Sequence, residues 1–400
     1  MKTIDENTGE TGQAGKAVNQ LENYNVKDAI REVRYLADGL IKATRHTKHH
    51  FRDEWAEQLI TRYRRLPGKP IIHLDDLGHD VIPTLSPDVR PLLIPFWKKL
   101  VAEHGYNWSM AQFRCARDIA VGANKVTRWG KLWSWRKFSA LTGFSVSSLE
   151  PFVVALRVAS SGTSRIITHP KLPFNLATPG GAKMIGYRGD AAYQTSAFIN
   201  TKPILHEDYK QAITEVVGEN PFTVSLRADG CDRTNVGVFV TMIASLAGLD
   251  NTQRQKKARN PFPSWFFVAG DEVVINGLQA LRKAEGSGDE RSIRICQAIG
   301  FDTLDLGDLS PSWPSKGSVW KLPKTTLYEV LRNPPPILSS ASLLLNRYGI
   351  VSHIMPERYS TTQTGCSIYW TLSTYRGDNL QKFQSTITTP QFSELNHTPI

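Results

Sequence analysis

Hydrophobic residues in the first third of the chain recur at helical spacing. Ala29, Val33 and Leu36 follow one another at intervals of three or four residues, which is the period of one face of an α-helix. The preceding residues, 1–20, are mostly polar and lack the apolar content that a packed core requires. We therefore expect a disordered lead over 1–20 and a helical N-terminal region over 21–130.

A glycine turn between two short apolar segments, within residues 131–160, resembles a helix-turn-helix. Gly143 would end the first helix, Ser145 would cap the second, and Leu149 would pack back against the first, as two steeply crossing helices require. Pro151 departs from this pattern, because a proline inside a helix removes a backbone donor and clashes with the preceding turn. The segment is therefore either a helix-turn-helix with a short second helix or an unrelated helical pair.

After residue 165 the pattern changes to short strands separated by helices. Period-two alternation, typical of half-buried strands, occurs in four segments: 192–199, 222–229, 292–299 and 367–375. Helical periodicity occurs in six segments: 179–188, 204–217, 233–247, 271–284, 337–348 and 378–386. Because the order of elements occurs twice, we predict an α+β fold with two related halves, 165–265 and 271–400. The proline-rich stretch 300–336 is predicted to be a loop inserted into the second half.

Composition adds a first indication of the partner. The chain of 400 residues carries 48 lysines and arginines against 37 acidic residues, a net charge of +11. This length accommodates two or three domains, and the positive surplus favours a polyanionic partner, nucleic acid above all. No apolar run reaches 18 residues and no signal-like N-terminus occurs, so no membrane association or secretion is expected. Four scattered cysteines without a CxxC pair argue against zinc clusters and disulfides and favour the cytoplasm.

The most informative segment is 275–287, INGLQALRKAEGS. It combines an apolar helical face with small residues and ends in an acidic residue followed by glycine. Position by position it resembles the second LAGLIDADG motif of the DOD-type homing endonucleases, in the archaeal-like form. The matching positions are Leu278, Ala280, Leu281, Ala284, Glu285 and Gly286.

This resemblance implies a fold and a chemistry. In the family, two such helices pack face to face through small residues, a role that falls here on Gly186, Ala280 and Gly286. Their final acidic residues hold divalent metal, Mg²⁺ or Mn²⁺, over the DNA, and two αββαββα halves form a saddle on the duplex. Oxygen ligands suit such cations, and two-metal phosphodiester hydrolysis needs them on both the attacking and the leaving oxygen. The resemblance thus assigns Glu285 as catalytic residue and metal ligand.

The first copy of the motif, within 177–198, is degenerate. Its small and apolar face includes Ile185 and Gly186, but the acidic position of the motif falls on Ala191, and Asp190 precedes it. Since each residue turns a helix by about 100°, Asp190 would point off axis unless the last turn tightens. Asp190 is nevertheless the candidate partner of Glu285 as catalytic residue and metal ligand.

A second stretch that nearly spells the motif, SLAGLDNT at 245–252, is a decoy. Asp250 is followed by a polar, then basic stretch and a proline turn, whereas the motif requires an acidic residue and a glycine at the inner end of a helix. We therefore interpret LAGLD as the exit of the helix predicted over 233–247.

Two sets of residues are candidates for contacting DNA. Strand 291–299 alternates so that Ser292 and Arg294 share one face while isoleucines occupy the other, as expected of a sheet that presents polar side chains to the major groove. The basic linker between the two halves would cross the phosphate backbone. Its cations are Arg254, Lys256, Lys257 and Arg259.

Taken with the resemblance, these residues predict a monomeric, site-specific, metal-dependent endonuclease that cuts double-stranded DNA. Three alternatives stay open. The first is a DNA-binding protein without cleavage, as in the bacterial sporulation regulators that join a LAGLIDADG-derived fold to a helix-turn-helix. The second is an intron maturase, in which the same saddle holds structured RNA, and the third is an unrelated basic α+β protein.

Overall fold

A computed structural model gives the structure of the protein and divides the described chain into two compact units. The N-terminal unit comprises Gly68–Thr252 and the C-terminal unit lies within Gln253–Ile400. No helix among the described residues combines the length and the apolar character needed to cross a membrane. The described residues are 68–77, 81–89, isolated positions between 91 and 102, 145–158, 166–188, 197–220, 222–226, 230–249, 261–289, 292–302, 314–362, 365–375 and 377–388.

The N-terminal unit begins with five short strands. They are β1 (Ile71–Ile72), β2 (Val81–Leu85), β3 (Val153–Val158), β4 (Ile166–Thr168) and β5 (Phe174–Asn175). β1 pairs antiparallel with β5, and β2, β3 and β4 form a second antiparallel sheet in that order. The described part of the predicted helical region 21–130 therefore contains strands, and these pair across the boundary that we predicted near residue 165. The β-branched pairs Ile71-Ile72 and Val81-Ile82 favour extended backbone over helix.

The predicted second helix of the helix-turn-helix over 131–160 is not found. Val146–Phe152 forms a short 3-10 helix that contains Pro151 and leads directly into strand β3. Proline cannot continue a helix, and the β-branched Val153 and Val154 that follow favour a strand. The side chain of Glu150 accepts the backbone N–H of Leu74 at 2.8 Å, which ties this turn to the segment after β1.

The second part of the N-terminal unit follows the predicted order closely. Its elements are α1 (Pro179–Arg188), β6 (Ala197–Asn200), α2 (Pro203–Val217), β7 (Thr223–Leu226), β8 (Asp232–Asn235) and α3 (Gly237–Leu246). The three strands form an antiparallel sheet in the order β6-β8-β7. β8 lies where the sequence predicted the start of a helix, since Gly237, with φ of 80°, separates strand from helix at a residue type that tolerates this conformation.

The C-terminal unit contains a five-stranded antiparallel sheet and a helical layer. Its elements are α4 (Asp271–Glu285), β9 (Gly286–Asp289), β10 (Ser292–Asp302), β11 (Lys316–Ser318), α5 (Lys324–Arg332), α6 (Pro336–Asn346), β12 (His353–Thr362), β13 (Gly365–Tyr375) and α7 (Gly377–Ile387). The strand order is β11-β12-β13-β10-β9. Apart from β11 and α5, the order along the chain is αββαββα. The predicted mixture of helices and antiparallel sheets is confirmed.

The core of the C-terminal unit lies between one face of this sheet and the helices α4, α6 and α7. Side chains at alternate positions of the long strands are buried on that face: Ile293, Ile295, Ile299, Ile354, Ile368, Trp370 and Leu372. The helices contribute buried residues such as Leu278, Leu281, Leu344 and Phe383. This core is therefore built from every second residue of the strands, packed against the apolar faces of the helices.

We predicted that the stretch 300–336 is an inserted loop. Its described part instead contains regular secondary structure. Strand β10 extends through Asp302 and α5 fills much of the region before α6. The buried side chains of Val319, Leu322 and Val330 anchor this segment. Its prolines and glycines suggested a loop, but Val319 and Leu322 lie at a 3-10 turn after β11 and Val330 lies in α5.

Candidate nucleic-acid interface

The face of the C-terminal sheet opposite the helices is formed by rows of cross-strand neighbours. In antiparallel sheets, directly paired residues share a face. Arg294, Ser373 and His353 are paired in one row across β10, β13 and β12. The next rows are Cys296–Thr371–Met355, Ala298–Tyr369–Arg358 and Gly300–Ser367–Ser360. We call these four rows the outer face. Except for Cys296, Met355, Ala298 and Gly300, its members are polar, aromatic or charged. Thr371 and Ser373, on the central strand β13, are buried.

Two arginines dominate the charge of the outer face. The guanidinium of Arg358 lies over the ring of Tyr369, 4.5 Å from its centroid, a stacking arrangement that restrains the side chain. Arg294 lies 4.0 Å from Glu357, and the two side chains are 45% and 43% exposed. Such a half-exposed pair contributes little to stability, so Arg294 remains available to an anionic partner.

The two strand residues predicted to contact DNA have different surroundings. Arg294 is exposed on the outer face, as expected for direct readout. Ser292 is only 8% exposed and is paired with Asp289 on one side and Tyr375 on the other. The structure therefore offers Arg294 to a partner and encloses Ser292 within the sheet.

The sequence did not reveal the contribution of β12 to the outer face. His353 and Arg358 lie on this strand, but the register shifts between Pro356 and Arg358. A bulge of this kind breaks strict alternation, and proline argues against a central strand. The remaining signal is the alternation in His353–Met355, which is too short to establish a strand by itself.

Glu285 is the last residue of α4, and Gly286 directly follows it as the first residue of β9. The amide of Gly286 donates to the carbonyl of Arg282, and a Cβ at Gly286 would lie 2.2 Å from that oxygen. Glycine therefore allows the chain to turn from helix to strand immediately after the acidic residue. The half-buried Glu285 stands at the helix end where the backbone dipole favours a cation.

The small residues of α4 and α1 are enclosed. A Cβ at Gly277 would lie 2.6 Å from the ring of Phe266, so this glycine admits an aromatic side chain of the same unit. Ala280 is 1% exposed, and Gly186 is buried in α1. Burial suits the packing role predicted for Gly186 and Ala280.

The described part of α1 reaches Arg188, before the acidic position of the first motif. Asp190 and the linker cations Arg254, Lys256, Lys257 and Arg259 lie outside the described residues.

A polar network fixes α1 to α2. The hydroxyl of Tyr187 donates to Oδ2 of Asp208 at 2.6 Å, and Nζ of Lys183 contacts Oδ1 of the same carboxylate at 2.9 Å. Burial, reinforced by the hydrogen bond to Asp208 and its charge, raises the pKa of Tyr187 above its ordinary value. These contacts orient a helix whose other sides are almost entirely apolar.

A divalent cation is implied by the resemblance, and the described residues supply one suitable ligand for it. Within the part of the chain that the structure describes, no three His, Cys, Asp or Glu side chains are grouped so that they could hold a metal ion. Mg²⁺, however, is commonly bound by one or two carboxylates together with substrate phosphates. The carboxylate of Glu285 fits that limited requirement.

The predicted decoy at 245–252 is confirmed as a helix exit. α3 ends at Leu246, and Gly248 has φ of 104°, the left-handed region in which glycine commonly ends a helix. LAGLD is therefore not the start of a helix, and Asp250 lies outside the described residues.

No family model and no curated protein matches the sequence. Among solved structures, I-DmoI in complex with DNA and Mn is similar with a TM-score of 0.31 and 14% identity, over 54% of this chain and 98% of that chain. The N-terminal LAGLIDADG domain of DUF199/WhiA is similar with a TM-score of 0.29 and 9% identity, over 56% and 90%. Full-length DUF199/WhiA from Thermatoga maritima has the same TM-score and identity, over 56% and 61%. TM-scores this low do not establish a common fold.

Proposed function

We propose that the chain binds duplex DNA through the outer face and cleaves it as a metal-dependent endonuclease of the LAGLIDADG type. The observation that carries this proposal is the junction at Glu285 and Gly286. There a helix with one buried face ends in an acidic residue and passes without a loop into a sheet whose opposite face bears stacked and exposed cations.

The dimensions and chemistry of the outer face support DNA as the partner. Adjacent strands lie about 4.8 Å apart, so β12, β13 and β10 together are about 10 Å wide, close to the ~12 Å major groove of B-DNA. Arginine can form paired hydrogen bonds with guanine, and serine hydroxyls contact either base type. Ser360 and Ser367 are partly exposed on the outer face. The net charge of +11 adds sequence-independent attraction to phosphates.

Glu285 is assigned the catalytic role, with Asp190 as its partner. The carboxylate of Glu285, Asp190 and phosphate oxygens of the DNA would hold Mg²⁺ or Mn²⁺. Such a cation, when bound, supplies charge stabilisation at the phosphate and an acidified water. The chain itself contributes a negative helix end that attracts a cation and a sheet that holds the duplex in place.

We further propose that the two units are related halves that share one DNA molecule. Without β9, β11 and α5, the C-terminal unit has the order α4, β10, α6, β12, β13 and α7. The N-terminal unit has the matching order α1, β6, α2, β7, β8 and α3, and its strand order β6-β8-β7 corresponds to β10-β13-β12. Gly186 and Ala280 would then lie where the two motif helices pack, and the linker cations Arg254, Lys256, Lys257 and Arg259 would follow the backbone between the halves.

A second candidate function is DNA binding without cleavage. The specific observation in its favour is the degenerate first motif, whose acidic position falls on Ala191, whereas α4 ends on Glu285. A single acidic ligand is a poor basis for two-metal hydrolysis. On this account Asp190 takes no part in the reaction.

Selection of bound and of cleaved duplexes from a random library tests the proposal. Binding is measured with Ca²⁺ and cleavage with Mg²⁺ or Mn²⁺, with structured RNA as competitor. We expect selected duplexes to be cut on both strands, and Asp190→Asn to abolish the double-strand cut. Cutting of one strand only, unchanged by Asp190→Asn, would assign catalysis to Glu285 alone. RNA that displaces the selected duplex at lower concentration would favour the maturase alternative.

A further inference from the structure

An additional basic segment enlarges the C-terminal unit beyond the αββαββα order. Residues 314–332, which we call the basic insert, comprise β11, a 3-10 turn at Val319–Lys321 and α5. The segment contains four basic residues and one acidic residue. Its exposed side chains include Lys316, Trp320, Lys321, Lys324 and Tyr328.

The basic insert is held firmly against the sheet. β11 pairs with β12, and the amide of Thr361 donates to the carbonyl of Ser315 at 2.8 Å. Gly317 lies against the ring of Tyr359, so closely that a Cβ at this glycine would be 2.8 Å from the ring. Val319 and Leu322 are buried. The exposed lysines are therefore presented by a fixed scaffold.

Lys316 extends one row of the outer face. It is paired with Ser360, which is paired with Ser367, which is paired with Gly300. Because direct partners share a face, the Lys316 side chain leaves the sheet on the same side as the outer face. The basic insert thus continues that face by one strand at its edge.

The charges of the basic insert are unevenly placed. The three lysines Lys316, Lys321 and Lys324 precede or begin α5. The one acidic residue, Glu329, lies in the second half of α5, where its carboxylate accepts the side-chain amide of Asn333 at 3.0 Å. The lysine-bearing part is thus a separate patch of positive charge next to the outer face.

We propose that Lys316, Lys321 and Lys324 contact phosphates of duplex DNA that flanks the base pairs under the outer face. The inference rests on the proposed function and adds to it a longer footprint on the DNA. Charge complementarity with phosphate and continuity with the outer face identify the partner as the same duplex. An edge-strand lysine also discourages pairing with a second chain, so the test must measure DNA.

The test compares Lys316→Ala/Lys321→Ala/Lys324→Ala with the matched triple change to arginine. The probe is a random-sequence duplex, since phosphate contacts do not depend on sequence, and affinity is measured at several salt concentrations. Each lost phosphate contact reduces the slope of log affinity against log salt by about 0.9. We therefore expect the slope of the alanine variant to be smaller in magnitude by about 2 to 3. The number of base pairs covered by each bound molecule should also fall, and the arginine variant should match the wild type.

Lys382→Ala provides a control from the helical layer of the same unit, where the side chain is exposed on α7, and it should leave the slope unchanged. A wild-type slope and site size in the alanine triple, while the wild type binds duplex DNA, would overturn the inference. A loss of binding by the alanine variant that is confined to single-stranded DNA would also overturn the inference. It would assign the basic insert, with Trp320, to the stacking of bases. Absence of salt-dependent duplex binding by the wild type would instead refute the proposed function itself.

Discussion

The two motif helices, α1 and α4, differ in the surroundings of their described C-terminal turns. α4 ends on Glu285 and passes into the sheet through a glycine that its backbone requires. The described part of α1 reaches Arg188 and includes Tyr187, which is fixed to α2 through Asp208. The comparison teaches that one helix has the features of a site, whereas the described part of the other has the features of a scaffold.

The largest effect expected from the contrast between α4 and α1 is a loss of DNA cleavage. Glu285→Gln nearly keeps the shape of the side chain but removes the charge of a metal ligand. Since even the partners of ligands contribute about 10- to 100-fold, we expect cleavage of a selected duplex to fall by at least about a hundredfold. Binding in Ca²⁺ should be retained or slightly tighter.

The matched control for this change lies on the same helix. Glu272 is exposed in the first turn of α4, at the opposite end from Glu285. Glu272→Gln removes the same charge and should leave cleavage near the wild-type rate. Equal losses in the two variants would mean that net charge, and not the end of α4, governs the reaction.

A smaller effect is expected on stability, at the junction that distinguishes α4. Gly286→Ala places a Cβ against the carbonyl of Arg282 at 2.2 Å, and overpacking of this kind costs about 1–3 kcal/mol. Urea unfolding measures the loss. Gly270→Ala is the matched control, because nothing lies within 4 Å of an added Cβ there, and its cost should stay below about 1 kcal/mol. Equal free energies of unfolding for Gly286→Ala and Gly270→Ala would contradict the turn described at Gly286.

The smallest effect concerns the scaffold around α1 and depends on pH. Burial and the hydrogen bond to Asp208 raise the pKa of Tyr187 in the folded state above its ordinary value of 10.0, so the unfolded chain releases this proton first. Its contribution is complete below pH 10 and is lost as the pH rises above that value, by at most about 1.4 kcal/mol per pH unit. Tyr187→Phe should make the alkaline decrease in unfolding free energy shallower by up to that amount. A decrease as steep as that of the wild type would exclude this role for Tyr187.

The sequence predicted the elements better than it predicted the site. Helices such as α2 and α4 have strong three-to-four periodicity and were placed within a few residues of their observed bounds. β12 was missed as a regular strand because a bulge interrupts its alternation at Pro356. The proposed helix-turn-helix is not confirmed, and its described part is a 3-10 turn followed by a strand for a reason visible in the sequence, since Pro151 and the valines after it favour a strand.

Within the site, residue type and alternation could predict the face of a side chain but not its exposure. Ser292 and Arg294 lie two positions apart on the same face of β10. Only Arg294 is exposed, because the neighbouring strands enclose the short serine side chain. The row that joins Arg358 to Tyr369 depends on the pairing of β12 with β13. Such pairing joins distant parts of the chain, so no local pattern could reveal it.

The most direct test of the central claim is duplex binding by Arg294→Ala/Arg358→Ala, measured in Ca²⁺ with a duplex selected by the wild type. Both side chains lie at the surface, so melting temperature should change little. If the outer face reads DNA, we expect affinity for the selected duplex to fall by at least about tenfold, with weaker discrimination against mismatched base pairs, each of which costs about 1–3 kcal/mol in specific complexes. Wild-type affinity and discrimination in this variant would contradict the assignment of the outer face as the DNA-binding surface.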